Sequence, residues 1–308
     1  MLYGALEAGG TKMVLAIGNE QGEILEQISI PTNHPSETIP QIIEYFKDRQ
    51  ISGLGIGSFG PIDLKKDSPT YGWITSTPKL EWRNFNLVGA LKEALQVPIG
   101  FDTDVNASCL GEAVYGSTKD VGSSIYITIG TGVGMGAYVN GGLLHGMLHP
   151  EGGHILIEKH PEDTGSCVCP YHPNCLEGFA AGPAIEKRYG KKAHLLKDDS
   201  QVWELEAYYI AQALVNYIVI LSPERIILGG GVMKQEQLFP LVRKKVLELL
   251  NGYLNTKELT DIDQYIVPAS LEGDQGIIYW SISVSSFVFR YPLRSSRTHN
   301  LMVTTLTF

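Results

Sequence analysis

The feature that most constrains this chain is a device it uses twice. Residues 2–8 form an apolar run that empties into Gly9-Gly10-Thr11-Lys12 and gives way to a second apolar run, a turn at Asn19-Glu-Gln-Gly22 and a third run ending before Pro31. Ser124 to Tyr138 repeats the pattern, with the glycine-rich Gly130-Thr-Gly-Val-Gly-Met-Gly136 between two strand-like runs and a turn at Asn140-Gly-Gly142. Short apolar runs bounded by glycine and asparagine read as strands joined by tight turns, so each copy predicts an antiparallel meander. An internal duplication is the economical reading, and it predicts two related α/β halves facing each other across a cleft.

The segments between and after the copies supply the helices. Ile39, Ile42, Ile43 and Phe46 have helical spacing, an apolar strand covers 52–58, and Gly60-Pro61 marks a turn. A helix near 86–96, a strand over 99–102 and a helix starting after Asp104 complete the first half. Helices at about 203–220 and 235–250 flank Arg225-Ile-Ile-Leu-Gly-Gly-Gly231, a strand that ends in three glycines. With 308 residues, 44% of them hydrophobic, the chain can bury two ordinary cores. A formal charge of −9 and the lack of a basic patch argue against nucleic acid, and no apolar run reaches the ~18 residues of a membrane span. An acidic protein that handles phosphates needs backbone amides, helix amino ends or a cation to hold them, and this points to the glycine turns.

At Gly9, Gly10, Thr11 and Lys12, glycines let amides approach an anion, Thr11 adds a hydroxyl donor and Lys12 a charge, although an ordinary hairpin turn has the same composition. Gly130, Thr131 and Gly132 carry the same two readings, and equivalent places in two copies strengthen the phosphate one. Glu7, two residues before Gly9, is positioned to orient a magnesium-bound water, since magnesium accompanies nucleotide phosphates with few carboxylates of its own. Two glycine patterns are decoys. Gly55-Ile-Gly57-Ser-Phe-Gly60 and Gly132-Val-Gly134-Met-Gly-Ala137 match dinucleotide fingerprints, but neither opens a helix. A P-loop motif is absent.

Three of the four cysteines fall in Cys167-Val-Cys169-Pro-Tyr-His172-Pro-Asn-Cys175, close after Glu151-Gly-Gly-His154. Cys169, His172 and Cys175 recur every three residues in a segment whose two prolines forbid a regular helix, so a compact loop can wrap one tetrahedral zinc. Of five candidate ligands, His154, Cys169, His172 and Cys175 are the expected set, with Cys167 the spare or a competitor for His172. Disulfides or unliganded thiols are the alternatives.

Asp102 and Asp104 stand at a strand end, and Asp104 lies where the chain turns into a helix. A carboxylate there can act as a general base or as an N-cap, with Asn106 equally able to cap. Glu151, His154 and Glu177 offer acceptors and a donor suited to sugar hydroxyls, and His154 can turn one ring nitrogen to zinc and the other to substrate.

Taken together, the chain resembles the ROK family of sugar kinases and repressors, and most of all its bacterial fructokinases. The motifs are Leu6-Glu-Ala-Gly-Gly-Thr-Lys12, Gly57-Ser-Phe-Gly-Pro-Ile-Asp63, Thr75-Ser-Thr-Pro-Lys-Leu-Glu-Trp82, Asp102-Thr-Asp-Val-Asn106, Gly130-Thr-Gly-Val-Gly134, Glu151-Gly-Gly-His154, the cysteine loop and Leu228-Gly-Gly-Gly231, over residues 1 to about 278. The resemblance implies the α/β actin-like ATPase (ribonuclease H-like) fold. It implies an N-terminal domain over 1–118 with the first phosphate motif and the catalytic Asp, and a C-terminal domain over 119–278 with the second phosphate motif, zinc loop and adenosine motif. Asp104 is then the base that takes the proton of the sugar hydroxyl, and Asn106, Glu151, His154 and Glu177 contact the sugar. Both glycine turns take ATP phosphates, and Gly178, Gly229, Gly230 and Gly231 lie along the adenosine. The implied cofactors are magnesium with ATP and a structural zinc, and the implied assembly is a homodimer.

The expected activity is phosphorylation of fructose to fructose 6-phosphate by ATP, with another hexose kinase, acting on mannose or glucose, or a catalytically impaired sugar-binding protein as alternatives. A sugar-responsive repressor needs a DNA-binding segment ahead of Glu7, and the sequence leaves no room for one. ATP use, reduced thiols and the missing leader imply a cytoplasmic protein. Thr103 replaces the Asn that ROK glucokinases usually carry before the base, Glu7 replaces the commoner Asp, and five residues separate Cys169 from Cys175. Tyr279 to Phe308 is β-branched, Ser-rich and free of acidic residues where the family has an alanine-rich helix. This reads as a foreign tail, produced by a frameshift or else a divergent but native terminus, and loss of the helix would uncover an apolar stripe on the first domain.

Overall fold

The computed structural model describes residues 1–77 and 79–271. The expected end of the second domain at residue 278 and the atypical tail at 279–308 lie outside the described residues. The first half opens with β1 (Leu2–Ala8), β2 (Lys12–Asn19) and β3 (Ile24–Pro31), an antiparallel meander as expected. The helix α1 (Pro35–Lys47) then leads to β4 (Leu54–Ser58). A small hairpin of β5 (Trp73–Ile74) and β6 (Phe85–Asn86), too short to register as periodicity, precedes α2 (Leu87–Leu95), β7 (Ile99–Thr103) and α3 (Asp104–Val114). The sheet order is β3-β2-β1-β4-β7, with β4 parallel to both β1 and β7.

The second half repeats this plan. β8 (Ser124–Ile129), β9 (Val133–Val139) and the two-residue β10 (Gly142–Leu143) form the meander. α4 (Leu176–Ala180), α5 (Gly182–Tyr189) and the long α6 (Ser200–Leu221) then precede β11 (Arg225–Gly229), α7 (Leu238–Leu250) and β12 (Ile266–Pro268). The order β10-β9-β8-β11-β12, with β11 parallel to β8 and β12, matches the first sheet strand for strand. The duplication is therefore one of topology as well as of turns. Both glycine decoys resolve as expected, since Gly55 and Gly57 lie inside β4 and Gly134 and Gly136 inside β9.

Strand periodicity sorts the side chains to two faces of each sheet. On the first sheet Leu6, Met13, Leu15 and Leu54 face α1 and α2 in a core with Ile42, Phe46, Trp82 and Leu91. On the second, Ile125, Ile127 and Ile129 face a core holding Phe179, Trp203, Tyr209 and Val242. The opposite faces meet around α3, and there the residues are small. Ala107 packs with Ala5, Val14 and Ala16 of the first sheet, whereas Cys109 packs with Tyr126 and Ile227 of the second. A Cβ on Gly134 would stand 2.5 Å from Val105 Cγ1, and one on Gly136 2.4 Å from the Val105 carbonyl oxygen, so α3 can lie against β9 only where those side chains are missing. The helix is thus held between the sheets, with Asp104 at its open end.

Candidate active site

Position in the strands decides which residues reach the space between the sheets. Glu7 alternates with Leu6 and so shares the α3-facing side of β1 with Ala5, while Thr128 holds the equivalent place in β8 with Tyr126 behind it. Each strand then runs into its glycine turn. The resulting cleft has a volume of about 910 Å³ and is lined by Glu7 with Gly9 to Lys12 from one half, and by Thr128 with Gly130 to Val133 from the other. Gly9 and Gly130 close their turns by donating to the carbonyl oxygens of Lys12 (3.1 Å) and Gly132 (2.9 Å). A Cβ on Gly9 would fall 2.6 Å from that Lys12 oxygen, so the tight turn excludes any larger residue.

Asp104 lines the cleft from the start of α3. The N-cap is Thr103, whose hydroxyl accepts from the Asn106 amide at 3.1 Å, so the capping role considered for Asp104 or Asn106 falls to their neighbour. The Asp104 carboxylate accepts from the Val105 amide at 2.9 Å and opens on the cleft. Burial pushes its carboxyl up to about 6, with the nearby Glu151 carboxylate adding to the rise and the Val105 and Asp104 amides opposing it. A base with this proton affinity is matched to work near neutral pH.

Glu151, His154 and Glu177 line the same cleft. Burial first and the Glu177 charge second push Glu151 up to about 7. Glu177, in the first turn of α4, accepts from the Val133 amide at 2.9 Å, and a Cβ on Gly132 would lie 2.7 Å from that same oxygen. The motif Glu151-Gly-Gly-His154 is a 3-10 turn over Gly152–His154 pressed onto β9. A Cβ on Gly153 would stand 1.8 Å from the Val133 carbonyl oxygen, and Tyr217 donates to the Gly152 carbonyl at 2.7 Å. Replacing Gly153 by Ala is therefore expected to cost roughly 3 kcal/mol and to push His154 away from the cleft. Urea denaturation measures the first effect, and an unchanged midpoint would contradict the packing described.

The cysteine loop closes over the same region. His154 Nδ1, Cys169 Sγ, His172 Nδ1 and Cys175 Sγ all lie within 4.8 Å of one another, and among the described residues this is the cluster with the donor set of a metal site. Cys169 Sγ is 3.8 Å from His154 Nδ1 and 3.5 Å from His172 Nδ1, and Cys175 Sγ is 3.7 Å from His154 Nδ1. Tetrahedral zinc with bonds of about 2.3 Å to sulfur and 2.0–2.1 Å to nitrogen has ligand-to-ligand edges of about 3.3–3.8 Å, so the residues fit that ion. No disulfide joins any of the four cysteines. Cys167 stands outside the cluster, its thiol donating to the His172 carbonyl at 3.1 Å. The other His154 nitrogen, Nε2, faces Glu177 Oε1 at 3.8 Å, so the ring spans from the thiol cluster to the carboxylates of the cleft.

Comparison with known proteins places this architecture. The model of the ROK family matches residues 3–280. The chain belongs to the ROK family. A Bacillus subtilis (strain 168) relative is 53% identical over 278 residues, covering 90% of this chain and 93% of the relative. A fructokinase of Pediococcus pentosaceus is 48% identical over 277 residues, covering 90% of this chain and 95% of its own. Among solved structures, the ROK hexokinase of Thermus thermophilus superposes with a TM-score of 0.76 at 23% identity, over 94% of this chain and 99% of that one. That likeness gives the fold, which is the actin-like ATPase fold expected from the motifs.

Within this ROK chain not every expected contact reaches the cleft. Asn106 is fully buried, donates its side-chain amide to Asp102 Oδ1 at 2.7 Å and is not among the residues that line the cleft. Gly178 is not among them either. A Cβ there would meet Cys167 Sγ at 1.9 Å, so this glycine makes room for the cysteine loop. Gly229 similarly accommodates the Tyr126 hydroxyl, and Gly230, with φ of +90°, lies against the Ile129 backbone. Of the three terminal glycines of β11 only Gly231 has open space beside it, and its nitrogen lies 3.8 Å from the position of a Cβ on Gly130. Two histidines that no sequence motif flagged stand at or beside the cleft. His149 lines the cleft and accepts from the Ile62 amide at 3.4 Å, and His145 donates to Asp102 Oδ2 at 2.8 Å. Their partners are 87 and 43 residues away in the chain, beyond any local pattern.

Proposed function

We propose that this ROK protein is an ATP-dependent fructokinase that makes fructose 6-phosphate. The observation that carries the reading is the shared cleft. Asp104, raised to about 6, stands between two glycine turns suited to phosphates and a group of polar side chains, Glu151, His154 and Glu177, suited to a sugar. Its similarity to fructokinases over nine tenths of the chain supports the choice of sugar. In the transfer, the fructose 6-hydroxyl oxygen bonds to the γ-phosphorus of ATP, the bridge from that phosphorus to the β-phosphate oxygen breaks, and the hydroxyl proton passes to Asp104. Glu151, His154 and Glu177 orient the hexose. Amides of residues 9–12 and 130–132, with Thr11, Thr131 and Lys12, hold the phosphates, and Gly231 leaves room for adenosine beside the second turn.

Magnesium supplied with ATP neutralises phosphate charge, and Glu7 on the cleft face of β1 would hold it through a water. Zinc held by His154, Cys169, His172 and Cys175 is structural, because protein atoms fill all four positions. Residues 1–118 and 119–278 act as the two domains whose closure excludes water. The protein works as a cytoplasmic homodimer without nucleic acid or membrane partners. No described helix is long and apolar enough to cross a membrane.

A coupled assay of ADP release with fructose, mannose and glucose tests this directly. The expected kcat/KM for fructose exceeds that for the other two by about tenfold or more. Preference for glucose or mannose would move the assignment to another hexose kinase, and turnover with none of the three would overturn it.

A further inference from the structure

The segment 144–151, which delivers Glu151 to the cleft, starts from β10 of the second sheet yet is fastened to the first half. Its first anchor is His145, whose Nε2 donates to Asp102 Oδ2 at 2.8 Å. The second is His149, whose Nε2 accepts from the Ile62 amide while Nδ1 lies 3.5 Å from Glu151 Oε1. Asp102 is buried at 7% exposure and sits two residues before Asp104. It is also the fixed point for the start of α3, since its Oδ1 accepts from the Thr103 amide at 2.8 Å and the Asn106 side chain at 2.7 Å. One carboxylate therefore holds both the helix end that carries Asp104 and the segment that carries Glu151. A buried carboxylate with three donors is a rigid reference, because losing any donor leaves a desolvated charge underpaired.

We propose that Asp102 and His145 form a positioning clamp that sets the sugar-holding Glu151 relative to the base Asp104, so that sugar affinity depends on the pair while nucleotide affinity does not. The inference rests on the fructokinase reading of the cleft. Neither residue lines the cleft, so both act through others and neither is catalytic. His145 is suited to a test because its side chain is 40% exposed and its loss leaves no buried void. The pair is charge-assisted, since the Asp102 hydrogen bond outweighs partial burial and raises the proton affinity of His145.

The experiment compares wild type, His145→Ala, His145→Gln and Asp102→Asn, alone and combined, for KM of fructose and of ATP. His145→Ala is expected to raise KM for fructose about tenfold, the worth of one hydrogen bond to a charged group, with KM for ATP within about twofold. His145→Gln, whose amide reaches the same oxygen, recovers most of the loss. The double variant His145→Ala with Asp102→Asn is no worse than the poorer single one, as expected for partners in one interaction. An unchanged fructose KM in His145→Ala, or equal rises in both KM values, overturns the clamp. If wild type fails to phosphorylate fructose, the functional reading falls and amide exchange over residues 144–151 tests the clamp separately. Faster exchange in His145→Ala but not in His145→Gln supports it, and equal exchange in all three proteins overturns it.

Discussion

Replacing Asp104 by Asn lowers kcat with fructose by about a thousandfold and leaves the fructose affinity within a few-fold of wild type, because the amide keeps its place on α3 but cannot take a proton. Steady-state kinetics and calorimetric titration with fructose measure the two parts, and a variant with wild-type kcat would remove Asp104 from the mechanism. The same group sets the acid limb of activity. Burial raises it to about 6, so it is protonated and inactive below that pH, and kcat/KM falls as pH drops through about 6. The effect on stability has the opposite sense. A carboxyl whose folded value lies above its ordinary 3.8 contributes stability below pH 4 that is lost as pH rises through about 6. Two units correspond to about 3 kcal/mol, and solvent in the cleft reduces this to about 1–2 kcal/mol. Asp104→Asn is accordingly expected to be more stable than wild type at pH 8 and equal to it near pH 4, which thermal melts at the two pH values decide.

Cys175→Ser is expected to lower the zinc content from about one per chain to near zero and the melting temperature by about 10 °C. Cys175 is fully buried at the foot of α4, so a metal bond there would also fix the helix that carries Glu177. A metal held at a thousandfold above its dissociation constant stabilises the folded state by about 4 kcal/mol, and each kcal/mol moves the midpoint by about 2–4 °C at this size. Fructose KM rises with the loss, since His154 joins the thiol cluster to the sugar-facing carboxylates. Elemental analysis and calorimetry check the outcome. A variant that keeps its zinc would show that Cys175 is not a ligand, and one that loses zinc without losing stability would show that the ion does not brace the fold. Cys167→Ser, outside the cluster, should keep full metal.

Much of the architecture was legible because it depends on local chemistry. The twin glycine turns, the apolar runs beside them and the helical spacing of Ile39, Ile42 and Phe46 each specify their own backbone, and the observed boundaries fall within a few residues of those expected. The convergence of His154 with Cys169, His172 and Cys175 was legible too, since the last three lie within seven residues and the types are those that gather in one loop. The two-residue strands β5, β6 and β10 were not, because such short pairings carry no periodicity and exist only by docking on a neighbour.

Some motif residues also serve packing. Asn106, Gly178 and Gly229 sit inside recognisable motifs, yet what each touches is Asp102, Cys167 or Tyr126. A motif records that a residue type is needed but not whether a ligand or a distant side chain needs it. Residue types and spacing by themselves determined the two-fold plan of the chain, the glycine turns, the base candidate and the make-up of the His/Cys cluster. Only the tertiary structure decided which of them share a cleft, that Thr103 caps α3 so that Asp104 is left for chemistry, and that His145 and His149 tie the second half to the first. The reason is physical: backbone turns and helix starts are settled by neighbours in sequence, whereas burial, proton affinity and long-range hydrogen bonds are settled by what the fold brings alongside.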